Sequence, residues 1–119
     1  MKTYEGKFEN GNYRVVIEDD DGTGRINYRE LPLRLDLVNK SPTGFSWGYN
    51  GSGPAQLALA LLADVIGDEE ALKMYQSFKS YFVAVLPAEW YAPEEDIKEM
   101  VHSLKERQTG SGILSGTVS

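Results

Sequence analysis

The chain opens on a period of two. Tyr4, Gly6 and Phe8 alternate with Thr3, Glu5 and Lys7, and Tyr13, Val15 and Ile17 alternate with Arg14, Val16 and Glu18. Alternation of that kind predicts strands with one buried and one solvated face. It gives strands over residues 4–8, 13–18 and 25–28, parted by the turn formers Asn10-Gly11-Asn12 and the Asp/Gly cluster of residues 19–24. Leu31, Leu33, Leu35 and Leu37 alternate with Pro32, Arg34 and Asp36, which predicts one more extended edge segment, since Pro32 removes a ladder donor.

After residue 53 the period changes to that of a helix. Pro54 suits a first turn, where its missing N–H would have no partner. A helix over residues 55–66 follows, capped by Ser52 or Gly53 and stopped by Gly67. Ala and Leu cover nearly every side of it, so it should be enclosed by the rest of the fold. A second helix starts at Asp68 as N-cap, with Glu69 and Glu70 in its first turn, and Leu72, Tyr75, Phe78, Phe82 and Val85 recur at three and four until Pro87 ends it. Pro93 opens a third, whose Ile97, Met100, Val101 and Leu104 form one apolar face. The expected fold is therefore α+β: an N-terminal antiparallel meander on three helices, with the helix of residues 54–66 central. Residues 1–107 form the single domain, and the uncharged Gly/Ser/Thr-rich residues 108–119 are expected to be a mobile tail.

Composition narrows the function classes. The 119 residues hold 12 Lys and Arg against 18 Asp and Glu, a net charge of −6, and no cysteine. Disulfides, Cys-ligated zinc, iron–sulfur clusters and thiol nucleophiles are excluded, and the acidic balance argues against direct nucleic-acid binding. The longest apolar run, residues 57–63, is too short to span a bilayer, and residues 1–10 lack the apolar stretch of a signal peptide. A cytoplasmic monomer or homodimer, away from membranes, is expected.

Two motifs invite chemistry. Counted from Asp19, residues 19–30 place acids at positions 1, 3 and 12 and Gly at 6, the calcium-loop pattern of an EF-hand. The flanks contradict it: the entry is β-branched and Pro32 stands in the would-be exit helix, so an acidic hairpin turn is the reading preferred. Gly48, Gly51 and Gly53 before Pro54 could cradle an anion on the helix dipole, but no Gly-Lys-Ser/Thr follows, and Gln56 stands where a dinucleotide fingerprint needs Gly. The one histidine, His102, lies off the apolar face of the third helix, which places it in solvent. Trp47, Tyr49, Trp90 and Tyr91 are read as core before pocket. No nucleophile or acid–base pair with convincing partners emerges, so no catalytic residue, metal or cofactor is expected.

The stretch of residues 41–62, SPTGFSWGYNGSGPAQLALALL, resembles the hallmark of a small family of uncharacterised domains of unknown function in bacteria, archaea and phages. The resemblance extends from Tyr4 and Gly6, through residues 31–39, to Tyr75, Phe78 and Lys79, and to the Leu86-Pro87 turn with Trp90. In the family's pattern a His often stands where this chain has Lys40, so no imidazole role carries over. The resemblance implies a common fold and a marked segment, without a reaction, and its phage members admit a role in mobile elements.

The functional expectation is a non-catalytic binding module for a protein partner or a small anionic ligand. Its surface would be the loop of residues 39–53 and the helix start, with Asn39, Ser41, Thr43, Trp47, Tyr49, Asn50, Gly51, Ser52 and Gly53 as contacts and Gln56 facing outward. The alternative is an acidic inhibitor that mimics nucleic acid, drawing on Glu18 to Asp21, Glu69-Glu70 and Glu94 to Asp96.

Overall fold

The structure, a computed structural model, describes residues 1–117, with side chains described through Arg107. Val118 and Ser119 lie outside the described residues, as do the side chains of the expected tail; only backbone of the last helix reaches into it. The chain is α+β. Strands β1 (Lys2–Glu9), β2 (Asn12–Asp20) and β3 (Ile26–Glu30) form the N-terminal meander. Helices α1 (Ser52–Ile66) and α2 (Asp68–Tyr81) follow, then a 3₁₀ turn at Val83–Val85, strand β4 (Glu89–Pro93) and helix α3 (Glu94–Thr117).

The sheet is antiparallel in the order β3-β2-β1-β4. Asn10 and Gly11, both at positive φ, form the two-residue turn of the β1–β2 hairpin, the geometry whose twist matches the flanking strands. Register pairs Tyr4 with Ile17, Gly6 with Val15 and, on the other side, Gly6 with Trp90. Tyr4, Val15, Ile17, Trp90 and Ala92 therefore share the face packed on the helices, where all are buried. A Cβ on Gly6 would lie 2.3 Å from the Trp90 indole, so only glycine lets that ring lie flat across the strand.

The fourth strand was not anticipated, because Glu89-Trp90-Tyr91 is too short a run to read alone and gains its partner from β1, more than eighty positions away. Residues 31–37 are not a strand. Arg34 takes a positive φ and its carbonyl accepts from the Leu37 N–H, which turns the chain under α1. The third strand sits a residue later than expected, from Ile26 to Glu30.

Helix α1 is enclosed as its composition predicts: residues 53–63 are all buried, with Leu57, Leu59, Leu61 and Leu62 fully so. Each of those leucines contributes about 1.5–3 kcal/mol relative to exposure. Its N-cap is Gly51, upstream of the expected Ser52 or Gly53, and among the described residues no side chain caps it. Asp68 is likewise the first residue of α2, with Gly67 as N-cap, and its carboxylate is taken by Arg34 at 2.8 Å. The buried stripe of α2 is Ala71, Met74 and Phe78, while Leu72 and Val85 are exposed. Of the expected stripe, Phe78 is buried and Tyr75 and Phe82 pack against the core; Val85 falls out of it because the helix stops at Tyr81 and the chain tightens before Leu86-Pro87, the residue before proline being barred from helical backbone. Helix α3 buries Ile97, Val101 and Leu104 as predicted, and His102 is exposed.

Candidate functional site

The loop before α1 is held by the core on which it lies. Ser41 Oγ donates to the Gly44 carbonyl at 2.7 Å, closing the Ser-Pro-Thr-Gly turn, and the Gly48 N–H donates to Val83 at 3.1 Å. Trp47 is buried, donates Nε1 to the Pro87 carbonyl at 2.8 Å, and stands edge-on to both Tyr13 and Trp90. Gln56 is fully buried, which corrects its expected outward orientation. Its Oε1 accepts from the N–H groups of Lys40 and Ser41, and its Nε2 donates to the carbonyls of Leu33 and Val38. All four bonding positions of the amide are thus filled by backbone.

This anchoring leaves a polar cleft of about 370 Å³ between the β1–β2 turn and the start of α1. Of the residues named from the sequence, Ser41, Thr43, Tyr49, Ser52 and Gly53 line it, together with Asn12, Tyr13 and Ser46, which were not named. Ser46 Oγ and Tyr49 Oη are 2.8 Å apart. A Cβ on Gly53 would sit 1.9 Å from Ser46 Oγ, so glycine is what allows the loop to lie against the first turn of the helix. Asn39 and Asn50 are exposed outside the lining, Gly51 is the N-cap, and Trp47 and Gln56 are scaffold beneath. No signal in the local pattern could have brought in Asn12 and Tyr13, which arrive by tertiary packing of the hairpin; Ser46 lies inside the segment already marked.

The electrostatics of the cleft are those of a helix N-terminus without compensation. None of its lining residues is charged, the first turn of α1 holds no acid, and among the described residues no side chain caps its N–H groups. The macrodipole places partial positive charge there. The cleft's lining offers hydroxyl, amide and aromatic groups and no carboxylate, imidazole or amine, a set suited to hydrogen bonding.

A second cluster lies at the other end of α1. Asp64 accepts from the Tyr4 hydroxyl and, at 3.0 Å, from Lys2 Nζ, with Arg29 at 3.7 Å. Burial alone would push the Asp64 carboxyl up, but the hydrogen bonds from Tyr4 and Lys2 and the two cations outweigh it and hold the carboxyl below its ordinary range. Burial, and then the carboxylate beside it, keep the Tyr4 phenol well above the usual range. The cluster ties the sheet to the central helix.

Several acids of the three acidic segments have local partners. Asp20 and Asp21 accept hydrogen bonds from Gly22 and Thr23 inside the β2–β3 turn, Glu70 pairs with Lys105 and Lys73, and Glu94 with the Lys2 N–H and Lys98. The calcium-like segment is therefore a hairpin connection between β2 and β3, and its last acid, Glu30, pairs with Arg14. Among the described residues no helix is long and apolar enough to cross a membrane.

No curated protein and no solved structure matches the chain. The model of one family of unknown function, DUF6166, matches residues 4–103, a span from β1 through the packed turns of α3. That span holds the cleft, the Gln56 clamp and, apart from Lys2, the Asp64 cluster, and the chain belongs to this family.

Proposed function

We propose that the domain is a non-catalytic binding module and that the cleft at the start of α1 receives a small anionic group, such as a carboxylate or phosphate, on a hydroxylated ligand. The observation that carries the reading is the uncapped, acid-free N-terminus of α1 opening into a cleft lined by Ser41, Thr43, Ser46, Tyr49 and Ser52. Helix N–H groups and hydroxyl donors together favour an anion, and the net charge of −6 does not reach into the cleft as any acidic side chain. That no carboxylate, imidazole or amine lines the cleft supports binding without chemistry. The family model names no activity and is neutral on this point.

Calorimetric titration with inorganic phosphate, citrate and phosphorylated sugars tests it. Ser52→Asp puts a carboxylate into the first turn, where it meets the dipole itself. Saturable binding to the native protein that Ser52→Asp removes is the expected result; binding unchanged in Ser52→Asp, or none with any of these anions, overturns it.

A further inference from the structure

The sheet has a second face, away from the helices, and residues from all four strands form it. A shallow concavity of about 1030 Å³ opens there, lined by Thr3, Glu5, Arg14, Val16, Glu18 and Tyr91 among others. Solvated faces are ordinary in antiparallel sheets, and their residues are then charged pairs and threonines. Two such pairs are present, Lys7 with Glu89 at 3.5 Å and Arg14 with Glu30 at 3.2 Å. The centre differs.

Register pairs Tyr91 with Glu5 and Glu18 with Tyr28, whose hydroxyl donates to Glu18 at 3.5 Å, and Glu5 and Glu18 are diagonal neighbours on adjacent strands β1 and β2. A diagonal therefore runs Tyr91, Glu5, Glu18, Tyr28 across the sheet, one residue per strand. Among the described residues no Lys or Arg comes within ion-pair distance of either carboxyl, although cations stand on the same face and are paired elsewhere. Burial and the neighbouring Glu18 push the Glu5 carboxyl up, with Lys7 opposing. Both tyrosines are largely exposed, 62% for Tyr28 and 74% for Tyr91, and Ile26 and the half-buried Val16 extend the apolar surface beside them. The face thus holds a central negative charge without a cation, bracketed by two aromatic rings.

We infer that this face docks an extended segment of a partner protein that lays an arginine side chain between Glu5 and Glu18 and against Tyr28 or Tyr91. A guanidinium is the cation that fits: its planar fork binds two carboxylates at once and stacks on tyrosine, which an ammonium does less well. Strands about 4.8 Å apart place the four diagonal positions within roughly 15 Å, the reach of a five-residue extended segment. The overall negative charge steers a basic segment toward the domain. This inference is independent of the cleft at α1.

The test uses a synthetic nine-residue peptide with two arginines in a Gly/Ser frame, and its citrulline counterpart, titrated into the ¹⁵N-labelled protein. Saturable amide shifts at Glu5, Glu18, Tyr28 and Tyr91 are expected, with the citrulline peptide weaker by about ten-fold or more. Glu5→Gln with Glu18→Gln weakens the arginine peptide similarly and keeps the fold, since it removes like charge; Tyr28→Ala with Tyr91→Ala weakens it by a second route. Glu95→Gln with Glu99→Gln removes the same charge from exposed positions of α3 and should leave binding intact. Equal losses in both acid variants, shifts centred elsewhere, no saturable shift at millimolar peptide, or sedimentation showing a second copy already on the face would each overturn the inference.

Discussion

The side-chain oxygen of Gln56 accepts the backbone N–H of Lys40 at 2.7 Å, so a residue in the first turns of α1 holds the entrance of the loop that forms the cleft. The same amide also reaches Leu33, Val38 and Ser41, and it is fully buried while doing so.

Gln56→Ala should therefore act as a core substitution. It leaves two N–H groups and two carbonyls without their partner, and the expected loss is about 3–5 kcal/mol in urea unfolding. A loss under about 1 kcal/mol would show that water or a shifted loop replaces the amide.

Asp64 makes stability depend on acid. Its folded-state pKa is depressed, so its contribution is present above the unfolded value near 3.9 and is lost as pH falls through the folded value. Asp64→Asn should cost about 1.5–3 kcal/mol at pH 7, by removal of charged hydrogen bonds to Lys2 and Tyr4, and much less at pH 2–3. Thermal unfolding across that range checks it; a cost independent of pH would count against the ionised form.

Glu5 has the opposite sign. Its carboxyl is pushed up in the folded protein, so the penalty is absent below the unfolded value near 4.3 and grows as pH rises toward the folded value. Glu5→Gln should raise Tm at pH 7, and the gain should vanish by about pH 4. An unchanged or lowered Tm at pH 7 would mean that the carboxyl pair is not strained.

Gly53→Ala brings a methyl to within 1.9 Å of Ser46 Oγ. A cost of about 1–3 kcal/mol is expected from this overpacking. Combining it with Ser46→Ala should recover part of that loss, because the hydroxyl is the nearest obstacle; a strictly additive double-variant cycle would place the strain elsewhere.

Much of the fold was legible because each signal was local. The alternation at Tyr4 to Ile17, the Asn10-Gly11 turn and the Ala/Leu surface of α1 specify their elements without help from distant residues. What could not be read depends on tertiary partners. Trp90 becomes part of a strand only beside Gly6, Arg34 breaks the alternation of residues 31–37 to meet Asp68, and a glutamine one turn into a helix gives no local sign that four backbone groups converge on it. The site was half legible for the same reason: Ser41, Thr43, Tyr49, Ser52 and Gly53 lie in one marked segment, whereas Asn12 and Tyr13 are delivered by the hairpin.

The most direct measurement is an amide-resolved titration of the native protein and Ser52→Asp with inorganic phosphate. The binding account predicts saturable shifts centred on the N–H groups of Ser52, Gly53 and Asn12, absent in Ser52→Asp, whose melting temperature should stay equal or rise slightly through the favourable dipole contact. Shifts spread evenly over the surface, or equal shifts in a fully folded Ser52→Asp, would contradict it.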